Sequence, residues 1–313
     1  MRKILLATTA IVALSAGSAM ASDITISGSM EFAFTDDSGN TASGVTGDQS
    51  AYGYQSDVNI KFSNTTDSGL TMTMNMGLHE DGVNDDANAS LAGDFGKLHF
   101  TNGLDDDLVE AMDVEVAGAT SEEGASATAG TITYIGGSPG TGAGASFSYQ
   151  LPTFVEGLTL AAAHANAAGG ADTAAYGANY SMNAGGASVK VAYTSSTATP
   201  ATGNDTTNTH YGLSVTSGNV TVMAESNTRD DGSTSDFSAS GVGAKYTMGA
   251  VTLGAYNKSG KDATDATTDA SQTAYGLDYT IATGITASVT QTSTDVNSTS
   301  STERLAMSLK MAF

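Results

Sequence analysis

The stretch Asp105-Asp106-Asp107-Leu108-Val109-Glu110-Ala111-Met112-Asp113-Val114-Glu115 places six carboxylates in eleven residues. Carboxylates at that density attract cations and repel anions. The plain alternative is a solvated charge run, the usual fate of such a stretch. A second cluster is formed by Glu80, Asp81, Asp85 and Asp86. Divalent cations, calcium first among them, could crosslink such side chains. No spaced Asp/Asn ligands with a closing Glu follow, and no G-G-x-G-x-D repeat is present, so a solvated loop is the simpler reading. Other chemistry is poorly supported. The four histidines (79, 99, 164 and 210) are scattered, and none lies in an H-E-x-x-H pattern. There is no G-x-S-x-G nucleophile turn. Gly136-Gly137-Ser138-Pro139-Gly140 lacks the Lys-Ser/Thr that would make it a phosphate loop. Zero Cys excludes thiol catalysis and a disulfide framework. We expect no enzyme and no required cofactor, with calcium as the one candidate ion.

The elements that position these residues begin with a leader. Arg2 and Lys3 precede the apolar run Ile4 to Leu14, and Ala19-Met20-Ala21 has the small-x-small form of a cleavage site. This predicts a secretory signal peptide over residues 1–21, too short for a membrane span, and a mature chain of residues 22–313. The formal net charge of the 313-residue chain is −22, and losing Arg2 and Lys3 would make it more acidic still. Such a chain repels phosphate, which argues against nucleic acid. No later stretch approaches the length of a transmembrane helix. If the chain sits in a membrane it must be a closed barrel, since nothing else satisfies the backbone in lipid.

Period-two alternation dominates the remainder. Gly69-Leu70-Thr71-Met72-Thr73-Met74-Asn75-Met76-Gly77-Leu78 alternates without a break, one face apolar and one polar. Strands are predicted at 24–34, around 58–62, 69–78, 88–95, 97–102, 145–152, 157–166, 173–182, 187–196, 207–216, 220–227, 237–248, 250–258, 272–281, 284–294 and 302–313. That makes sixteen. Residues 129–136 also look like a strand but break the count. Odd connections are long and polar, as at 37–50, 79–87 and 103–144. Even connections are mostly short, as at Asp94-Phe95-Gly96 and Ser217-Gly218-Asn219. Alternating long loops and tight turns with an even strand count describe a transmembrane barrel.

Side-chain phase adds detail without deciding the environment. Glu31, Lys61, Lys190, Lys245 and Lys310 each sit between apolar neighbours, hence on the polar phase. Tyr176, Tyr211 and Tyr275 follow long loops and share the apolar phase, as an aromatic girdle would, although tyrosine also has high β-propensity of its own. In a soluble sandwich the same charges would face solvent. A secreted, soluble β-rich adhesin or surface-layer protein is therefore the alternative.

The last strand favours the membrane. Leu305, Met307, Leu309, Met311 and Phe313 alternate to the final residue, whereas soluble termini usually fray. This ending resembles the assembly signal of outer-membrane barrels. With Ala92 to Asp107, "AGDFGKLHFTNGLDDD", and Phe154 to His164, "FVEGLTLAAAH", the chain resembles a Gram-negative general porin of the alphaproteobacterial type. The likeness covers the whole mature chain, through short motifs.

The resemblance implies an all-β, 16-stranded antiparallel transmembrane β-barrel in the outer membrane, with loop 103–144 folded into the lumen. Asp105, Asp106, Asp107, Glu110, Asp113 and Glu115 would then be the acidic side of a pore constriction. Leu108 and Met112, four residues apart, could anchor the loop to the wall. General porins commonly set arginines opposite this loop; here only Arg229 and Arg304 follow the leader, neither in an early strand. The wall candidates are Lys61, Lys97 and His99, with Glu31 and Asp57 near in phase. The implied function is passive diffusion of small hydrophilic solutes and ions, with a preference for cations. The implied partners are outer-membrane lipid, lipopolysaccharide and two further copies in a homotrimer.

Overall fold

The computed structural model describes residues 22–40, 49–79, 87–101, 108–109, 146–166, 172–232, 236–262, 269–296 and 300–313. Sixteen strands follow one another: β1 (Ser22–Asn40), β2 (Gln49–Thr65), β3 (Thr71–His79), β4 (Asn88–Gly93), β5 (Gly96–Thr101), β6 (Ser146–Gln150), β7 (Leu158–Asn166) and β8 (Asp172–Ala184). The second half comprises β9 (Ala187–Thr199), β10 (Thr206–Ser217), β11 (Val220–Asp230), β12 (Phe237–Met248), β13 (Val251–Asp262), β14 (Ala270–Ala282), β15 (Ile285–Val296) and β16 (Ser300–Ala312). Each strand pairs with its sequence neighbours, and β1 pairs antiparallel with β16, so the sheet closes into a barrel. All sixteen predicted strands are present. The segments 1–21, 80–86 and 129–136 lie outside the described residues.

The boundaries depart most from expectation at one place, beside shorter extensions of β9, β11 and β13 into their long connections. Residues 37–50 read as a polar connection, with the second strand gathered around 58–62. Instead β1 runs on to Asn40 and β2 begins at Gln49. The register carries this extension, pairing Phe34 with Tyr52 and Asp36 with Ser50. A strand leaving the apolar layer has water on both faces, so its alternation fades while its backbone ladder continues.

The arrangement of apolar residues decides the environment. Phe32, Met72, Met74, Leu253 and Val289 are all exposed, as the outward phase of their strands. Most of the buried residues point inward and are small or polar, including Ala161, Ala163, Thr194 and Ser196. A soluble sandwich would bury the first set and expose the second. The soluble alternative is therefore not favoured. In the Met-rich strand β3, Met72, Met74, Met76 and Leu78 stand outward, while Thr71, Thr73 and Asn75 face the lumen, where Thr73 bonds Ser90 and the Asn75 amide donates to Asn88 Oδ1 at 2.7 Å.

Two glycine features fix the ends of the barrel. The turn between β8 and β9 uses Gly185 and Gly186 at φ 58° and 88°, the left-handed pair a tight hairpin needs. At the closing seam Gly28 lies against Phe313. The Gly28 N–H donates to the Phe313 carbonyl at 3.1 Å, and the Phe313 N–H returns a bond to the Gly28 carbonyl at 3.0 Å. A Cβ at position 28 would stand 2.8 Å from the Phe313 ring and 2.7 Å from the Asp57 carbonyl. The terminal aromatic thus covers a glycine across the last backbone bonds of the barrel.

Candidate functional site

The lumen wall is built by the inward phase of every strand, and its charges meet across strand pairs. At the seam, register sets Glu31 opposite Lys310 and Asp37 opposite Arg304. The Lys310 Nζ stands 3.7 Å from a Glu31 carboxylate oxygen. Arg304 donates from Nε to Asp37 Oδ1 at 2.6 Å and from a terminal nitrogen to Oδ2 at 2.7 Å, a two-point pairing of fork to carboxylate. One strand over, Asp57 lies 3.2 Å from His79 Nδ1 and accepts a longer bond from the Ser29 hydroxyl at 3.4 Å.

A second charged group lies on β10 to β15. Glu225 is buried between His210 and Lys258, with oxygens 3.6 Å from His210 Nε2 and 3.4 Å from Lys258 Nζ. The Lys258 ammonium is 5.2 Å from the centre of the Tyr256 ring. The Tyr256 hydroxyl donates to Gln272 Oε1 at 2.6 Å, and Gln272 Nε2 donates to Thr294 Oγ1 at 3.1 Å. A polar network thus runs around the inside from β10 to β15.

The entry of the longest connection touches the inner wall. Leu108 and Val109 are buried, and they cluster with Ala161, Ala163 and Ala175 of β7 and β8. The Leu108 N–H donates to the Ser148 hydroxyl of β6 at 3.2 Å. Small side chains on that patch leave room for two branched ones to seat. Asp105, Asp106, Asp107, Glu110, Asp113 and Glu115, on either side of this contact in sequence, lie outside the described residues, as does Met112.

Lys61, Lys97, His99, Glu31 and Asp57 all occupy lumenal positions. Lys61 pairs with Asn75, and Lys97 with Gln150. They are not brought into one cluster. Glu31 is taken up by Lys310 and Asp57 by His79. His99 pairs with Ser148, the residue that accepts from Leu108, so it sits beside the loop entry rather than across from it. Sequence reasoning missed Asp37, His79, His210, Glu225 and Lys258. Arg304 was set aside as remote from the early strands, yet closure makes β16 the neighbour of β1. Only the register, which spacing does not give, reveals these pairs. Glu80, Asp81, Asp85 and Asp86 lie outside the described residues, and among the described residues no three His, Cys, Asp or Glu side chains group as metal ligands.

On the outside, Tyr176, Tyr193 and Tyr211 form a ladder over β8, β9 and β10, with ring centres 6.0 and 5.1 Å apart. Tyr246 and Tyr279 are exposed near the opposite ends of their strands. Aromatic rings at both heights of an apolar outer face mark the two interfaces of a bilayer.

A closed barrel of sixteen strands, apolar outside and polar within, is wide enough to hold an aqueous channel across an outer membrane. A family model for Gram-negative porins matches residues 7–299, and the chain belongs to that family. Solved structures share the fold. A porin structure is 17% identical, with TM-score 0.66, covering 93% of this chain and 100% of its own. An anion-selective porin from Comamonas acidovorans is 14% identical, with TM-score 0.66 and coverage of 93% and 100%. A loop-deletion mutant of an outer-membrane protein of Vibrio cholerae is 14% identical, with TM-score 0.67 and coverage of 93% and 99%. No curated protein sequence matches. The protein is an outer-membrane channel for passive diffusion.

Proposed function

We propose that this channel prefers cations and that the carboxylates of residues 105–115 impose the preference at a constriction. The observation that carries this reading is the seating of Leu108 and Val109 on the lumenal patch of Ser148, Ala161, Ala163 and Ala175. Asp105 to Asp107 and Glu110 flank this contact in sequence, and fixed negative charge beside a water path raises local cation concentration. The mechanism is a size limit with electrostatic selection.

Residues 1–21 serve as the export signal and are removed. The exposed apolar band contacts lipid and lipopolysaccharide. The Met- and Phe-rich outer face of β16, β1 and β3 suits contact with further copies in a homotrimer, because flexible thioethers pack against varied surfaces. The test is planar-bilayer recording of the native channel and of a variant carrying Asp105→Asn, Asp106→Asn, Asp107→Asn and Glu110→Gln. The native reversal potential should report cation preference, and the variant should lose most of it. An unchanged reversal potential in the variant would remove these carboxylates from the role.

A further inference from the structure

Glu225 of β11 and Lys258 of β13 belong to strands that are not neighbours, since β12 runs between them. Inward side chains two strands apart start about 10 Å apart at the backbone, so a direct contact needs a gap on the strand between. The register supplies one. Gly241 of β12 lies opposite Glu225 on one side and Lys258 on the other. On its other flank Glu225 faces Gly212 of β10. Over the bare strand, a Glu225 oxygen and the Lys258 ammonium come within 3.4 Å. A Cβ at position 241 would stand 3.0 Å from Glu225 Oε1 and 3.2 Å from Lys258 Cγ.

The pair is held from several sides. His210 Nε2 is 3.6 Å from the second Glu225 oxygen. The Tyr256 ring lies beside the Lys258 ammonium and packs on the buried patch of Ala192 and Met223, while its hydroxyl is fixed by Gln272. The side chains of Glu225 and Lys258 are only 1% and 12% exposed. Lys61, on the lumenal face of β2, is by contrast exposed. This sector of the wall holds two inward cations, Lys258 and, four residues past Glu225 on the same face of β11, Arg229. Lys258 is the one folded back by a carboxylate. A carboxylate that close cancels most of an ammonium's field at longer range. An ammonium extended into water instead repels cations and attracts anions over about 10 Å at 0.1 M salt.

We propose that Glu225 is a specificity-determining residue of the channel: reaching across Gly241, it holds the Lys258 charge against the wall and out of the water path. The inference rests on the channel reading above and is separate from the carboxylates of residues 105–115. Glu225 and Gly241 act through Lys258, so they are positioning residues. A substitution at 241 that alters no charge should therefore alter ion selectivity, because it wedges the pair apart. Lys258 is the partner that moves, since its stem is long and its head the more exposed, while Glu225 stays beside His210.

The test is the potassium-to-chloride permeability ratio of the full channel, taken from reversal potentials in gradients centred on about 0.1 M salt. Gly241→Val should lower the ratio by about twofold or more, Gly241→Ala by less, and Glu225→Gln by at least as much as Gly241→Val. In a Lys258→Met background, Gly241→Val should leave the ratio where Lys258→Met alone sets it. That comparison separates displacement of the lysine from narrowing of the pore. The second readout is labelling by a membrane-impermeant amine reagent, mapped by mass spectrometry. Lys258 should react more slowly than Lys61 in the native channel, and the difference should close in Gly241→Val and in Glu225→Gln. Should Gly241→Val fail to assemble, Glu225→Gln, which keeps the shape of the side chain, carries both measurements. A ratio and a labelling rate unchanged in these variants, or the same shift from Gly241→Val in the Lys258→Met background, would overturn the proposal. A ratio that responds to the substitutions at residues 105–110 and not to these would defeat this proposal alone and leave the constriction reading standing.

Discussion

At the scale of single residues, the closing seam concentrates the clearest consequences. Arg304 is buried and bonds Asp37 at two points. Removing one partner of a hydrogen-bonded charge pair strands the other, at a cost of about 1–3 kcal/mol. Arg304→Ala should lower the unfolding midpoint in detergent accordingly, and adding Asp37→Ala should cost less than the sum of the two single changes. Gly28 is constrained in a different way, by the Phe313 ring and the Asp57 carbonyl that crowd any Cβ. Gly28→Leu should destabilise the barrel by about 1–3 kcal/mol, as overpacking does, and should reduce the heat-modifiable band on a gel. Neither constraint was legible from the chain. Phe313 was readable as part of an apolar last strand, but its partner Gly28 lies in the first strand, far away in sequence. Arg304 and Asp37 are joined only because the last strand closes on the first. Pairs made by closure are invisible to any local pattern.

At the scale of elements, the alternation in β3 makes a sharp contrast available between adjacent positions. Met74 is 44% exposed on the outer face, while Thr73 bonds Ser90 inside the lumen. A lysine on the lipid face costs about 2–4 kcal/mol near the bilayer midplane. Met74 stands three residues from the turn end of β3, so Met74→Lys should cost less than the midplane value yet more than Thr73→Lys, which should cost no more than about 1 kcal/mol for a lost hydrogen bond. Similar penalties at both positions would contradict the assignment of faces. The loop entry gives a second element-level test. Val109 is fully buried, and Val109→Asn would place an amide among Ala161, Ala163 and Ala175. If this contact holds the loop in the lumen, the variant should raise single-channel conductance and weaken cation preference. Strand existence was readable because β-strands reveal themselves by a period of two between turn residues. Strand length was not, because β1 and β2 extend past the apolar layer into surroundings that are wet on both sides.

At the scale of the whole molecule, the barrel inverts the usual distribution of apolar surface, and that inversion is what its sequence first left undecided. Alternation is the same in a sandwich and in a membrane barrel. The even strand count, the long-then-short connections and the apolar final strand pointed to the membrane together, and the outward face of Phe32, Met72 and Leu253 agrees with them. The charged wall was only partly legible. The lysines were placed by phase, but which carboxylate each meets depends on register. Acidic segments, paired wall charges and an inserted loop entry combine into one expectation about ion flow. The most direct measurement is the reversal potential of the reconstituted channel across a steep potassium chloride gradient. The account predicts a stable open channel whose potential reports potassium passing more readily than chloride. A reversal potential of the opposite sign, reporting chloride preference, would contradict it.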